Sequence, residues 1–328
     1  MIIGLTYDLR IDYEGSGYDE EDIAELDLEE TIALIEQAIK SLGYKTDRIG
    51  NARSLSSRLV AGEKWDLVFN VAEGLSGRCR ESHVPSILEV YNIGYTFSDP
   101  LVCAITLDKG FAKRIVRDSG LPTAKFKVIE SLESIDHTAF EYPLFAKPIA
   151  EGTSKGINHN SRIESRDQLT QTCEYLLERF SQPVLVEEFL PGREFTVGVL
   201  GNGNDAHVLG IMEIEILQDK KGAIYSYVAK KQYEKLVNYV PYRKGSLHRQ
   251  LEQLALKSYK ALQCRDAARV DFRCDKEGVP CFLEINPLPG LHPIHSDLPM
   301  IAIQQGLKYE ELIDQIINNA LKRLKGTS

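Results

Sequence analysis

The sequence predicts an α/β protein with additional α+β elements, divided into two or three domains. Its 328 residues exceed the size at which one hydrophobic core usually stops growing. In the first hundred residues, apolar strand patterns alternate with helical patterns, which is typical of a parallel sheet covered by helices. Beyond residue 184, several strand patterns follow one another directly, which indicates antiparallel pairing.

The N-terminal unit, residues 1–98, is predicted to contain the parallel sheet. Ligands of such sheets bind beyond the carboxyl ends of the strands. Segment 72–78 follows the third strand, so we expect it to form a substrate loop. The strands are predicted at residues 2–7, 45–49, 67–71 and 94–97, and the helices at 28–42, 52–61 and 81–91.

A smaller central unit, residues 99–183, and a C-terminal unit, residues 184–328, are predicted to follow. The central unit begins with a connector and one amphipathic helix between residues 100 and 120. Two helices close the chain, and the second, at 309–324, has a strong helical period. The other strands are predicted at 124–129, 142–148, 184–189, 194–200, 207–215, 223–229, 267–274 and 279–285, and the other helices at 166–180 and 246–262.

The composition argues against several classes of function. The net charge of −9 is unsuited to nucleic-acid binding, which needs clustered Lys and Arg. No apolar stretch approaches the ~20 residues that a membrane-spanning helix needs, and we expect no cleavable leader before the first strand. The six cysteines lack metal-binding spacing, and we expect reduced thiols in a cytoplasmic protein. The acidic run 19–30 is interpreted as a solvated helix face.

The strongest functional pattern is a hairpin near the C-terminus. It places Asp271 beside Glu284, and Asn286 shares the face of Glu284 because it lies two residues further along the strand. Three oxygen ligands suit Mg²⁺, which prefers carboxylates completed by phosphate oxygens and water. Arg269 points to the same face and is suited to neutralise a transferring phosphoryl group.

A solvated acidic hairpin explains these residues about equally well until the following turn is considered. Segment 286–290 reads Asn-Pro-Leu-Pro-Gly, and the backbone N–H of Gly290 is suited to stabilise an oxyanion. The turn favours the metal site over the solvated hairpin.

Two further patterns indicate a phosphate and nucleotide site. Lys147 ends a strand and leads into loop 151–156, which has two glycines, two hydroxyls and a second lysine, and can fold over phosphates. Neither a P-loop nor a dinucleotide fingerprint is present. A strand that ends near Glu187 and leads to Glu194 could offer carboxylates to an adenine edge and a ribose. Each of these patterns, and the helix lysine Lys109, also occurs on ordinary loops, strands and helices.

Taken together and in this order, the patterns resemble the ATP-grasp superfamily and, within it, the D-alanine–D-alanine ligases. Several ordered motifs are more specific than any one of them, and the resemblance covers most of the chain from Ser98 onward. The motifs that carry it are Leu107-Asp108-Lys109 with Lys113, Lys147-Pro148 with loop 151–156, Val186-Glu187-Glu188-Phe189 with Gly192-Arg193-Glu194, and segment 269–290.

The resemblance implies a three-domain ATP-grasp fold with ATP held between the central and C-terminal domains. Loop 151–158, which contains Thr153 and Ser154, is expected to be flexible and to close over the site. Its closure would keep water from the reacting groups. Glu187 is expected to contact the adenine and Glu194 the ribose. The full set of residues expected to bind the nucleotide is Lys109, Lys147, Glu151, Glu187, Glu194 and Lys230.

The same resemblance assigns a chemical role to the C-terminal hairpin. Asp271, Glu284 and Asn286 are expected to bind Mg²⁺, with Mn²⁺ as an alternative metal. Arg269 and the backbone N–H of Gly290 are expected to stabilise the tetrahedral intermediate. The implied reaction phosphorylates a carboxylate to an acyl phosphate, which an amine attacks with loss of phosphate. The family also suggests a homodimer.

The chain departs from this family in its first strand–helix loop. The family carries there a glutamate that anchors the first substrate's ammonium. Here segment 7–18 is longer and lacks the usual pattern, so that Asp8 and Glu14 are alternative candidates for this role.

Other departures concern the remaining substrate segments. Glu73 replaces the histidine of the family's His-Gly pair, and Arg78 follows it; a surface salt-bridge cluster is the alternative reading of these charges. Lys231 stands where the family has a loop tyrosine. Counting from Gly290, the resemblance places His295 and Ser296 against the acceptor's carboxylate. Because His295 and Lys231 would make this pocket more cationic, we expect an acidic or extended acceptor.

Three functions are consistent with the sequence. The leading hypothesis is an ATP-dependent ligase that joins amino acids or a small peptide. The nearest alternative is an authentic D-alanine–D-alanine ligase of cell-wall synthesis. A protein of another class, an ATP-binding regulator without catalysis, is disfavoured because it would have no need of an intermediate-stabilising arginine.

Overall fold

The computed structural model describes residues 1–137, 141–216 and 237–326, which form three β-sheets covered by helices. None of the helices in these ranges combines the length and apolar character that a bilayer crossing requires. All six cysteines are free thiols. The division of the chain into three units stays a prediction.

The N-terminal sheet is parallel, with strand order β2–β1–β3. The predicted strand at 94–97 is wrong, since this segment makes only an isolated parallel bridge between Tyr95 and Val68. Phe97 adopts a positive φ of 71° and so leaves the extended conformation. The elements of this unit are β1 (Ile2–Thr6), α1 (Glu29–Ser41), β2 (Lys45–Gly50), α2 (Ala52–Val60), β3 (Leu67–Asn70) and α3 (His83–Val90).

Two helices connect this unit to the central one, where the sequence predicted a single helix. Asp108 separates them, and its carboxylate accepts the N–H of Phe111, which caps the second helix. The break between the helices places Lys109 at the start of the second one, where its side chain lies 3.3 Å from Glu284. The two helices are α4 (Pro100–Leu107) and α5 (Lys109–Asp118).

The central sheet has the order β4–β7–β5–β6. Its strand β7 pairs with β4 on one side and β5 on the other, so β7 is a central-sheet strand. The sequence had placed this strand at the start of the last unit, because strand patterns do not reveal their partners. The elements are β4 (Phe126–Ile129), β5 (Leu144–Pro148), β6 (Arg162–Ile163), α6 (Arg166–Phe180) and β7 (Val184–Glu188).

The C-terminal sheet is antiparallel, with order β10–β9–β8–β11–β12, as the sequence predicts. The predicted strand at 223–229 lies outside the described residues. The elements are β8 (Glu194–Leu200), β9 (His207–Ile216), β10 (Val237–Pro241), α7 (His248–Ala261), β11 (Ala267–Cys274), β12 (Pro280–Asn286), α8 (Asp297–Gln304) and α9 (Tyr309–Gly326).

The interpretation of the acidic run 19–30 as a solvated helix face is wrong. Helix α1 begins only at Glu29, and the earlier acidic residues form a turn-rich segment. Several of their carboxylates contact the central unit; Arg179 of α6, for example, pairs with Asp19 at 2.6 Å and Asp22 at 2.9 Å. The local pattern could not show this, because the partners lie far away in the sequence.

A buried carboxylate ties the C-terminal and N-terminal units together. Asp266, which is 0% exposed, forms an ion pair with Arg323 of α9 at 2.8 Å. It also accepts the N–H of Phe97 at 2.8 Å and the side-chain amide of Asn202 at 3.0 Å. Arg323 in turn donates to the carbonyl of Tyr95 at 2.8 Å. The segment that fails to become a strand is therefore held by this cluster.

Replacing Arg323 by Ala is expected to lower the free energy of unfolding by ~3 kcal/mol, because it leaves the Asp266 charge buried without its cation. Urea unfolding followed by circular dichroism measures this. The control is Arg58→Ala, which removes ion pairs to the part-exposed Asp47 and Glu63 and should cost at most ~1 kcal/mol. Equal losses in the two variants would contradict this account of the cluster.

Candidate active site

The expected metal centre lies on the hairpin of β11 and β12. The antiparallel register pairs Asp271 with Glu284 and Arg269 with Asn286. Nε of Arg269 donates to both carboxylate oxygens of Asp271 at 3.1 Å, and Nη2 donates to one of them at 2.9 Å. Asp271 also accepts a hydrogen bond of 2.6 Å from Thr196 Oγ1 on β8. The four side chains that the sequence singled out on this hairpin therefore meet on one face.

The charges of this face are only partly balanced. Burial raises the pKa of Glu284, but Lys109, Lys147 and Arg269 outweigh it and lower the pKa to about 2. Nζ of Lys109 lies 3.3 Å from the Glu284 carboxylate. Burial raises the pKa of Asp271 and the nearby Glu284 charge adds to this, although Arg269 opposes both. Glu284 is thus ionised, while the single guanidinium of Arg269 does not fully offset the burial of Asp271.

The donor chemistry of the hairpin fits magnesium. Two carboxylates and an amide oxygen are hard ligands, and they occupy facing positions of two paired strands. Burial and then the neighbouring Glu284 charge raise the pKa of Asp271, and a divalent cation held between the two carboxylates would oppose both effects. Asp271, Glu284 and Asn286 would hold the ion, which supplies positive charge to the phosphate oxygens when bound.

Arg269 and the turn after β12 border the same face. Nη1 of Arg269 lies 3.0 Å from the carboxylate of Asp297, so that the guanidinium is held between Asp271 and Asp297. In the turn, a Cβ at Gly290 would lie only 2.8 Å from Ser296 Oγ. The Ser296 hydroxyl accepts the N–H of His292 at 3.0 Å, which folds this segment back on itself. A glycine is required where the turn approaches so closely.

The nucleotide side is built around a buried carboxylate between two lysines. Glu187, which is 3% exposed, lies 2.7 Å from Nζ of Lys113 and 3.1 Å from Nζ of Lys147. Burial raises the pKa of Glu187, but the two lysines outweigh it and lower the pKa. Burial lowers the pKa of Lys113 despite this pairing. Because both carboxylate oxygens already have partners, the adenine contact of Glu187 stays a prediction.

A cavity of about 110 Å³ lies beside this cluster, between the central and C-terminal sheets. Glu194 lines it and accepts a hydrogen bond from Arg273 at 3.0 Å. Burial raises the pKa of Glu194 against the effect of Arg273. The predicted site residues that line this cavity are Lys147, Thr153, Ser154, Glu187, Glu194, Arg269, Asp271 and Glu284.

Loop 151–156 joins this cavity to a larger one. Nζ of Lys109 donates to the carbonyl of Glu151 at 2.5 Å, which connects the loop to the metal face. Thr153 lines both cavities and, like Ser154, has a positive φ. Such φ values are unusual in residues other than glycine, and they turn the loop sharply over the site.

The larger cavity, of about 340 Å³, lies between the N-terminal unit and the metal face. Glu73, His295 and Ser296 line it, as the substrate assignments predict. Arg78 lines neither cavity; it is 73% exposed and pairs with Asp108 at 3.0 Å. Lys230 and Lys231 lie outside the described residues. The other predicted site residues that line the larger cavity are Lys109, Glu151, Thr153, Arg269, Glu284, Asn286 and Gly290.

The two first-loop carboxylates that the sequence offered for the substrate's ammonium, Asp8 and Glu14, line neither cavity. Asp8 is buried and accepts from the Tyr13 hydroxyl at 2.8 Å and the Gly74 N–H at 2.9 Å. Asp27, from the end of the long first loop, lines the larger cavity instead. Its position in the acidic run was the only signal, and the run was interpreted as solvated. Glu25, Glu81 and Asp297 also line this cavity and were given no role.

Comparison with known proteins decides the family. Residues 115–318 match the family model described as the D-ala D-ala ligase C-terminus. The D-alanine–D-alanine ligase of Aquifex aeolicus is 34% identical over 285 residues, which cover 86% of this chain and 92% of that protein. The chain belongs to the D-alanine–D-alanine ligase family. This ligase is therefore ATP- and magnesium-dependent, forms ADP, and makes C–N bonds.

Two other similar proteins extend this result. The uncharacterized protein y4sG of Sinorhizobium fredii is 36% identical over 265 residues, or 79% of this chain and 76% of that one. The D-alanine–D-alanine ligase from Bacillus anthracis, solved in complex with ATP, aligns with a TM-score of 0.75 at 22% identity. That alignment covers 100% of this chain and 99% of that one. The ATP-grasp fold that the motifs implied is confirmed.

Replacing Asp271 by Asn is expected to weaken binding of ADP in the presence of Mg²⁺ by at least ~10-fold, because it removes an ionisable ligand. Binding of ADP in EDTA should not change. Isothermal titration calorimetry measures both.

The matched control is Asp275→Asn at the tip of the same hairpin. Its carboxylate accepts the N–H groups of Glu277 and Val279 and lies in the turn, away from the metal face. This variant should bind ADP as the wild type does under both conditions. Two outcomes would contradict the assignment of Asp271 as a metal ligand: an equal metal-dependent loss of ADP affinity in the Asp275 variant, or no such loss in the Asp271 variant.

Proposed function

We propose that this ligase joins two amino acids, or an amino acid and a small peptide, through an acyl-phosphate intermediate. The observation that carries the proposal is the face shared by Arg269, Asp271 and Glu284. Two of these residues, Arg269 and Glu284, line a cavity of about 340 Å³ that is bordered by loop 151–156. This volume is within the usual range for small-molecule sites. The relatives named D-alanine–D-alanine ligase support a dipeptide product.

Each chemical step has a residue suited to it. The carboxylate of the first substrate would attack the terminal phosphate of ATP and form an acyl phosphate and ADP. Arg269 and the Gly290 N–H would stabilise the charge that develops when the amine of the second substrate attacks the acyl carbon. The amine loses a proton and inorganic phosphate leaves. Loop 151–156 would exclude water, which otherwise hydrolyses the acyl phosphate.

Carboxylates on the N-terminal wall of the cavity support amine recognition. Asp27, Glu73 and Glu81 line it, and none of them has an ion-pair or hydrogen-bond partner for its side chain among the described residues. Burial raises the pKa of Glu73 well above its usual value, and the charges of Glu25, Glu81 and Asp27 add to this. A substrate ammonium would offset the mutual repulsion of these three carboxylates.

The expectation of an acidic or extended acceptor now depends on fewer residues. His295 stacks on His292 with ring centroids 4.3 Å apart, and both residues line the larger cavity. Lys231, the second basic residue of that expectation, is outside the described residues. We retain the acidic acceptor as a hypothesis, and a cytoplasmic homodimer as the proposed working form.

The Michaelis constant for the amine-bearing substrates is expected to fall as pH rises from about 6 to 8. Burial and the charge of Asp8 raise the pKa of Asp27 to about 7, and burial raises the pKa of Glu81 to about 7. These carboxyls are therefore neutral below pH 7 and acquire the attracting charge above it. Steady-state kinetics across this range measures the effect, and Asp27→Asn should reduce it. A pH-independent Michaelis constant would contradict the ammonium assignment.

Phosphate release from ATP, assayed over a panel of D- and L-amino acids with mass spectrometry of the products, tests the function itself. We expect release only with particular amino-acid pairs, and an amide product in the same reactions. Activity confined to D-alanine would identify an authentic D-alanine–D-alanine ligase. Binding of ATP without turnover on any pair would instead indicate the regulatory alternative.

A further inference from the structure

A short acidic segment of the N-terminal unit, residues 19–25, crosses to the loop of the central unit. We call this segment the acidic latch. Its residue Glu25 has a side chain that is only 6% exposed, and it lines the larger cavity. The latch directly follows segment 7–18 and precedes helix α1.

Glu25 contacts the loop through both its charge and its hydrogen bonds. One carboxylate oxygen accepts the backbone N–H of Gly152, and the other lies 3.4 Å from Nζ of Lys155. The same oxygen lies 3.0 Å from Arg80, which follows the substrate loop of the N-terminal unit. Burial raises the pKa of Glu25, but Arg80 and Lys155 outweigh it and lower the pKa, so the carboxylate is ionised.

A second carboxylate completes a four-charge cluster. Nζ of Lys155 lies 2.5 Å from Glu151, and Arg80 lies 3.6 Å from the same carboxylate oxygen. Glu25 and Glu151 thus share the two cations Lys155 and Arg80. Because each of these side chains is at most 11% exposed, solvent screens the cluster weakly.

Two other latch residues, Glu21 and Asp22, contact the C-terminal end of loop 151–156 and helix α6. Glu21 accepts the backbone N–H of Gly156 at 3.0 Å, and the carbonyl of Asp22 accepts from Nζ of Lys155 at 3.3 Å. Arg179 of α6 pairs with Asp22 at 2.9 Å. Both glycines of the loop therefore donate their N–H groups to latch carboxylates.

The loop that these contacts hold has an unfavourable backbone conformation. Thr153 and Ser154 have positive φ values of 48° and 57° and lie between the two glycines that the latch binds. Residues in such conformations persist only when their surroundings enforce them. A Cβ at Gly152 would lie 2.7 Å from the Glu25 carboxylate, so that the loop and the latch fit closely.

We propose that Glu25 is a positioning residue that holds loop 151–156 closed over the nucleotide site and links its closure to the substrate cavity. It acts through the Gly152 N–H and Lys155 and makes no contact with the reacting atoms. The proposal depends on the proposed ligase function in one respect only, namely that loop 151–156 covers bound ATP. The closed position of the loop can be measured separately.

The first test is limited proteolysis of Glu25→Gln, which keeps the size of the side chain and removes its charge. Lys155 has a side chain that is 7% exposed, so trypsin should cleave the wild type slowly at this position. We expect cleavage after Lys155, measured well below the Tm of the variant, to be about tenfold to a hundredfold faster, because a charged hydrogen-bond network is lost. Glu25→Asp, which keeps the charge, should restore part of the protection.

The second test is the Michaelis constant of the same variant for ATP. We expect it to rise by a similar factor, with a smaller change in kcat, because loop closure precedes chemistry. The matched control is Glu36→Gln, which removes ion pairs to Arg48 and Lys40 in the same unit but far from the loop. It should change neither the cleavage rate nor the Michaelis constant.

The two tests separate the proposal from the proposed function. Wild-type cleavage after Lys155 in Glu25→Gln would overturn the positioning role, whatever the ligase does. Faster cleavage with an unchanged affinity for ADP and Mg²⁺, measured by calorimetry, would overturn the link between the latch and the nucleotide. If no amino-acid pair is a substrate, the proposed function fails, while the cleavage and ADP-binding measurements still decide the role of Glu25.

Discussion

The register between β11 and β12 is the constraint on which the site depends. It sets Asp271 opposite Glu284 and Arg269 opposite Asn286, so two carboxylates share one buried face with one guanidinium. Buried charges of one sign are costly unless cations are supplied nearby. A shift of one residue would turn every one of these side chains to the opposite face of the sheet.

The cations that balance this face come from other parts of the chain. Lys109 lies at the start of α5, and Lys147 ends a strand of the central sheet. Through its carbonyl contact with Glu151, Lys109 also reaches the loop, and the loop reaches Glu25 of the N-terminal unit. The three units are thus joined by a chain of charged contacts that passes around the larger cavity.

Much of this arrangement was predictable from the sequence, for a physical reason. Strand and helix periods reflect local burial, so nearly all elements and the hairpin pairing of Asp271 with Glu284 follow from them. Contacts between distant segments leave no such period. The sheet membership of β7, the capping of α5 by Asp108 and the ion pairs of the run 19–25 therefore required the structure. The failed strand at 94–97 has the same origin, since Asp266 holds Phe97 from a distance of 169 residues along the chain.

The central claim is that a substrate carboxylate is phosphorylated before the amide bond forms. Supplying an active first substrate with ¹⁸O in its carboxylate, and analysing the released phosphate by mass spectrometry, tests this directly. An acyl-phosphate route transfers one ¹⁸O atom to inorganic phosphate, because the oxygen that attacks ATP leaves with the phosphoryl group. Phosphate without label, or label that appears in AMP, would contradict the account.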